Sequence, residues 1–200
     1  MGTVELAGRT VKRLGMSVSA LRTTGMWGEP AGRQAAVAVI RRAVELGVEV
    51  LEVPVPFGPA GDLVREADVA GTFIVAHLTA GPHDPDMLRR RLGGRWPDLV
   101  LAPGGLLPRL SGWPMPLGVV VGAGATSPEC DELAALLGPY PVDPSLFEWC
   151  ETRAISYLAR SIGVLAAGDL TVALPAPRSL KEAERLFGPA RSTPPAGGPG

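Results

Sequence analysis

Glu52 and His77 are the side chains of this sequence best suited to move protons, and each lies within an apolar run, VEVLEVPVPF for the glutamate and TFIVAHL for the histidine. A carboxylate beside an imidazole makes an acid–base pair, in which the acid orients the ring and the ring carries the proton. Whether the two meet depends on register. Side chains along a strand alternate between faces. If Leu78 shares the interior with Glu52, His77 points the other way and is a hydrogen-bonded structural histidine. A slip of one residue brings His77 beside Glu52. A Glu52 buried without a cation would have a raised pKa. Arg178-Ser179, in LPAPRS, is the other chemical feature, because an Arg fork suits a phosphate as well as a surface ion pair.

Other constellations have plainer readings. Gly122–Ser127 (GAGATS) follows an apolar run and precedes a helical pattern, as a dinucleotide-binding turn does. It lacks the third glycine, however, and Glu129 puts negative charge where a phosphate would sit. Asp143, downstream of it, lies in a Pro-interrupted segment. Trp96 and Trp113, beside Pro97 and Pro114, suit either a binding surface or packing. Arg89-Arg90-Arg91 reads as a solvated face and His83 as a solvated side chain. Cys130 and Cys150 have neither metal-ligand nor C-x-x-C spacing, and a reduced pair is expected.

The elements that must position these residues alternate between strand and helix. Residues 3–28 open with a β-hairpin around Ala7-Gly8, with Val4, Leu6, Val11 and Leu14 apolar. Helices are expected at Gln34–Leu46, closed by Gly47, at Asp62–Ala67, from the Asp84-Pro85 cap to Leu92, from Ser127-Pro128-Glu129 to Leu137, at Phe147–Arg153 and at Leu180–Phe187. Strands are expected at Val48–Val53, Thr72–His77, Asp98–Ala102, Leu117–Val121, Pro141–Leu146 (weakened by its prolines), Ile155–Ala159 and Thr171–Leu174. The pattern is α/β with parallel strands. Residues 1–190 form one domain, and the Pro/Gly/Ser-rich 191–200 is expected to be a disordered tail.

The run GVEVLEVPVPFG resembles the G-x-N-F-I-D-T-A-x-x-Y-G strand of the aldo/keto reductases. VIRRAVELGV, PDLVL, FEWCETRAISYLA and LPAPRSLKEAE extend the resemblance in colinear order. It implies a (β/α)8 TIM-type barrel plugged by the hairpin. A full barrel takes about 250 residues, so a reduced or incomplete one with short or missing helices is expected, without a counterpart of the family's eighth strand. Carried over position by position, the catalytic Asp becomes Glu52, the Tyr Phe57, the Lys Leu78 and the His Pro103. The carboxamide-holding G-V-S-N becomes Gly118-Val119-Val120-Val121, and the Tyr that stacks on nicotinamide becomes Arg160. Arg178 and Ser179 match the family's grip on the adenosine phosphate, so NADP(H) binding is what remains of the cofactor site.

Composition limits the setting. Net charge is -1, with 19 basic against 20 acidic residues, so no basic field favours nucleic acid or an anionic membrane. No apolar run approaches the ~20 residues of a membrane span, and no leader pattern opens the chain, so a cytoplasmic location is expected. All basic residues except Lys12 and Lys181 are Arg, the bias of a GC-rich bacterial gene. With 46% hydrophobic and 20% charged residues, a barrel short of helices is expected to cover its strands by self-association or a protein partner. The leading expectation is a degenerate, non-reducing accessory or ligand-binding protein in a natural-product or peptide-modification pathway. The alternatives are an NADP-dependent oxidoreductase with a non-standard site, and a non-redox isomerase, lyase or cyclase that uses Glu52.

Overall fold

The computed structural model describes residues 2–21, 30–55, 59–79, 84–123, 128 and 132–188. Phe57, His83, Trp27, Cys130, most of the GAGATS turn and the expected tail lie outside the described residues.

The hairpin forms as expected. β1 (Thr3–Leu6) and β2 (Arg9–Lys12) pair antiparallel around Ala7 and Gly8, both at positive φ (46° and 80°). That pair of left-handed residues gives the tight turn whose twist matches the flanking strands. Eight parallel strands follow: β3 (Met16–Ser17), β4 (Val50–Val55), β5 (Phe73–Leu78), β6 (Leu99–Pro103), β7 (Leu117–Val120), β8 (Ala135–Leu137), β9 (Ser156–Ala159) and β10 (Thr171–Ala173). They are hydrogen-bonded in chain order. Gly15 N donates to Ala173 O at 2.8 Å and Ser17 N to Pro175 O at 2.9 Å, bringing the two edges together in a nearly closed barrel. The eighth strand is thus present, because the two-residue β3 serves as the first.

Helices cover only part of the wall. α1 (Pro30–Glu45) packs beside α2 (Ala60–Ala67) and α6 (Leu180–Phe187), and Arg42 reaches Glu184 at 3.1 Å. α3 (Pro85–Arg91) begins at Asp84, whose side chain accepts from Asp86 N at 3.0 Å. Between β6 and β7 there is only a 3-10 turn and the four-residue α4 (Leu107–Leu110). A 3-10 turn at Ile162–Ala166 replaces the helix between β9 and β10. The reduced barrel expected from chain length is the one observed.

Two expected elements change type. The helix assigned up to Leu137 gives way at Ala135–Leu137 to β8, fully flanked by β7 and β9. A short apolar run has no period of its own, and pairing on both edges decides it. The strand expected at Pro141–Leu146 becomes the entry to α5 (Pro144–Thr152). Asp143 Oδ1 accepts from Ser145 N at 2.9 Å and Leu146 N at 3.4 Å, and Pro144 fills the first helical position. Asp143, in the Pro-interrupted segment downstream of GAGATS, is therefore a helix cap.

Apolar side chains form two shells. Inside the barrel, Val4, Leu6 and Val11 of the hairpin pack on Val50, Phe73, Val75, Leu99, Leu101, Leu137, Leu158, Val172 and Leu174. Outside, Leu51, Val53, Ile74, Ala76, Leu78, Val100, Leu136 and Tyr157 meet the helices. Because the hairpin fills the lower lumen, any site must lie at the carboxyl ends of the strands, as in barrels generally.

Candidate active site

Strand alternation sets the membership of the upper lumen. Val50 lies inside and Leu51 and Val53 outside, so Glu52 points in. Phe73 and Val75 lie inside and Ile74, Ala76 and Leu78 outside, so His77 points in. This corrects the expected register of β5. Leu78, to which the resemblance gives the lysine position, belongs to the helix layer, and its neighbour His77 faces the upper lumen. The reading of His77 as an outward structural histidine falls with it. Pro103 has lumen parity, two residues beyond Leu101.

Glu52 is completely buried, and Ser17, His77 and Arg160 converge on its carboxylate. Ser17, its register partner on β3, donates its hydroxyl to Oε2. His77 Nδ1 lies 2.8 Å from Oε1, with the residue 9% exposed. Arg160, which follows β9, places Nη2 2.7 Å from the same Oε1 and 2.8 Å from His77 Nδ1. The three atoms form a triangle. Oε1 accepts from Arg160 Nη2 and, with the ring proton on Nδ1, from His77 as well, which leaves the lone pair on Nε2; Nη2 and Nδ1 are then two donors sharing one acceptor, with no hydrogen bond between them. Ser17 Oγ is also 2.7 Å from Ser19 Oγ, and Ser19 is exposed, so a hydroxyl chain runs from solvent to Oε2.

Charge follows from this geometry. Burial pushes the Glu52 carboxyl up, but the hydrogen bond from His77, the charge and hydrogen bond of Arg160 and the hydroxyl of Ser17 together hold it below the ordinary carboxylate range. The raised pKa expected of a Glu52 without a cation is therefore reversed. The cation is Arg160, whose side chain keeps 41% exposure while its Nη2 is turned inward. Sequence reasoning placed Arg160 only as a substitution at the stacking tyrosine and did not mark Ser17. Neither is near Glu52 in the chain, Arg160 being 108 residues away.

The remaining candidates do not join this cluster. Ser179 caps α6, accepting from Glu182 N at 3.3 Å, and Arg178 N donates to Glu182 Oε2 at 2.9 Å. The Arg178 side chain is exposed and forms no ion pair among the described residues. Tyr157 belongs to the outer shell, its hydroxyl donating to Pro139 O at 2.8 Å. Trp96 lies under Arg89, at 5.6 Å, and Trp113 packs on the outer core. No group of three metal-ligating residues occurs among the described residues.

A cavity of about 400 Å³ opens beside Arg160, lined also by Val120, Leu137, Pro139, Tyr140 and Ser161. A larger groove of about 910 Å³ lies on the wall between α4 and β7, against Leu107, Trp113, Met115 and Val119. The smaller cavity reaches the cluster through Arg160; Glu52 and His77 are not among the residues that line it.

No protein-family model matches the chain. The fold is that of the aldo-keto reductases. An aldo-keto reductase structure from Pseudomonas aeruginosa superposes with a TM-score of 0.68 at 12% identity, over 91% of each chain. A silkworm (Bombyx mori) aldo-keto reductase complexed with NADPH superposes with 0.59 at 12% identity, over 93% of this chain and 81% of that one. Among curated proteins, an uncharacterised oxidoreductase of Schizosaccharomyces pombe is 31% identical over 68 residues. That match takes in 33% of this chain and 22% of the yeast protein.

Proposed function

We propose, from an aldo-keto-reductase fold whose carboxylate pairs with a histidine, that this chain catalyses proton transfer at a small carbonyl compound without hydride transfer. The observation that carries the reading is the 2.8 Å contact between Glu52 Oε1 and His77 Nδ1, buried at the end of the barrel where such folds do chemistry. Glu52 fixes the ring tautomer and stabilises the imidazolium. Nε2 takes a proton from the carbon next to a carbonyl, leaving an enolate, and returns it to the enolate oxygen or, where the deprotonated carbon bears a hydroxyl that passes its own proton to that oxygen, to the former carbonyl carbon. Such a step is an isomerisation or tautomerisation, balanced without any co-reactant. A positioned general base of this kind contributes about 10²–10⁴-fold.

The nicotinamide end of NADP(H) does not fit these residues. At the positions where the resemblance expects carboxamide-holding side chains, Val120 and Val121 have no donor or acceptor, and at the stacking position Arg160 is hydrogen-bonded to Glu52. An oxidised nicotinamide ring is itself cationic and would face that guanidinium. The complexed NADPH of the silkworm neighbour thus supports a cofactor for its own site; transfer of the reductase reading here would require NADPH to bind. Equilibrium dialysis is expected to show no retention at millimolar NADPH.

A second reading, an accessory protein of a bacterial biosynthetic pathway, draws support from the apolar groove beside α4, where a partner would cover strands that lack a full helix. Size-exclusion chromatography with light scattering tests its self-associating form.

The main reading is tested by NMR in D2O, following loss of the protons next to the carbonyl in a panel of ketones, hydroxyketones and 2-oxo acids. Exchange is expected with wild type and reduced at least ~100-fold in both Glu52→Gln and His77→Gln. Equal exchange in either variant, or robust NADPH oxidation by wild type, overturns it.

A further inference from the structure

Arg160 has chemistry to spare after it has neutralised Glu52. Only Nη2 is engaged; Nε and Nη1 make no hydrogen bond among the described residues, and the side chain is 41% exposed on the wall of the 400 Å³ cavity. We infer that Arg160 is a substrate-binding residue whose free guanidinium edge takes a carboxylate, so that the compounds handled at Glu52 and His77 are small organic acids. This deepens the proposed function and rests on it.

The cavity matches such a ligand on both sides. A guanidinium presents parallel N–H groups at the spacing of two carboxylate oxygens. Next to it, Ser161 Oγ accepts from Gly163 N at 3.2 Å, which leaves its hydroxyl proton to donate. Opposite lie Val120, Leu137 and Pro139, suited to an apolar substituent, with the half-exposed Tyr140 at the rim. The volume is in the range of small-molecule sites. The ligand's charge is limited as well: Arg160 is the one cation lining the cavity among the described residues, and it is already paired with Glu52. A monoanion suits this balance and a phosphate dianion does not. The residue that anchors the acid also touches the histidine ring, Nη2 lying 2.8 Å from Nδ1, so a 2-oxo or 3-oxo acid is held on a side chain in contact with the imidazole.

The test is binding, read apart from turnover. Benzoate and pyruvate are titrated by ligand-observed NMR, with benzamide as the uncharged isostere of benzoate and inorganic phosphate as a competitor. Benzoate is expected to bind at least 10-fold more tightly than benzamide. Arg160→Lys, which keeps the charge and loses the fork, should weaken benzoate at least 10-fold. Glu52→Gln removes the competing carboxylate and should tighten it, and this variant carries the test if Arg160→Lys fails to fold. Equal binding of benzoate and benzamide, unchanged affinity in Arg160→Lys, weaker binding in Glu52→Gln, or displacement by equimolar phosphate each overturns the inference. Loss of proton exchange in Glu52→Gln without carboxylate selectivity would leave the proposed function standing and this inference refuted; selectivity without exchange would do the reverse.

Discussion

Glu52 and His77 meet diagonally across β4 and β5: Glu52 is opposite Val75 and His77 opposite Pro54, yet Oε1 and Nδ1 are 2.8 Å apart. Parallel neighbours two positions apart share a face, and long side chains span the diagonal. This one relationship turns an apolar lumen into a site with a base, a fixed tautomer and a counter-ion.

Acid should expose the role of Glu52. Its folded carboxyl is depressed below the unfolded value of about 4.3. The associated stability is present above that value and lost as pH falls through the folded one. Denaturant midpoints from pH 6 downward should therefore fall more steeply for wild type than for Glu52→Gln. Parallel curves would mean that the carboxyl is not held ionised.

The lumen plug should be as important as any helix. Leu6 is fully buried among side chains of the barrel interior. Leu6→Ala is expected to cost about 2–5 kcal/mol, from lost burial and the cavity left behind. Urea unfolding with an unchanged m-value measures it; a loss under 1 kcal/mol would mean that the hairpin is not packed in the lumen.

Gly118 allows β7 to lie close to β8. A Cβ there would come within 2.6 Å of both Ala135 O and Leu101 Cδ2. The backbone oxygen cannot swing aside as a side-chain tip does, so Gly118→Ala should destabilise by at least about 1–3 kcal/mol. Circular dichroism melts check this, and an unchanged Tm would contradict the strand pairing.

Cys150 should be silent until the barrel opens. It is fully buried on α5, and burial pushes its thiol up to about 12. Since the thiolate is the nucleophile, iodoacetamide at pH 8 should leave the Cys150 peptide unmodified in native protein and alkylate it in 6 M urea, as read by mass spectrometry. Rapid labelling of native protein would place Cys150 at the surface.

Much of the barrel was legible in the sequence because its signals are local. The Asp84 cap, the Ala7-Gly8 turn and the apolar strands around Glu52 and His77 are each written within a few residues, and the short or missing helices expected from chain length are found between β6 and β7. The segments that changed type, Ala135–Leu137 and Pro141–Leu146, are short and without period, and strand pairing or a helix cap settled them.

The site itself was a tertiary decision. The sequence supplied Glu52 in an apolar strand and His77 in another, but the face of a strand depends on a register that a shift of one residue inverts. Only the closed sheet, with Pro54 against His77, turned the imidazole inward and Leu78 outward. Only closure brought Arg160 across the lumen to Glu52, because a cation 108 residues distant leaves no local trace of the charge it will balance.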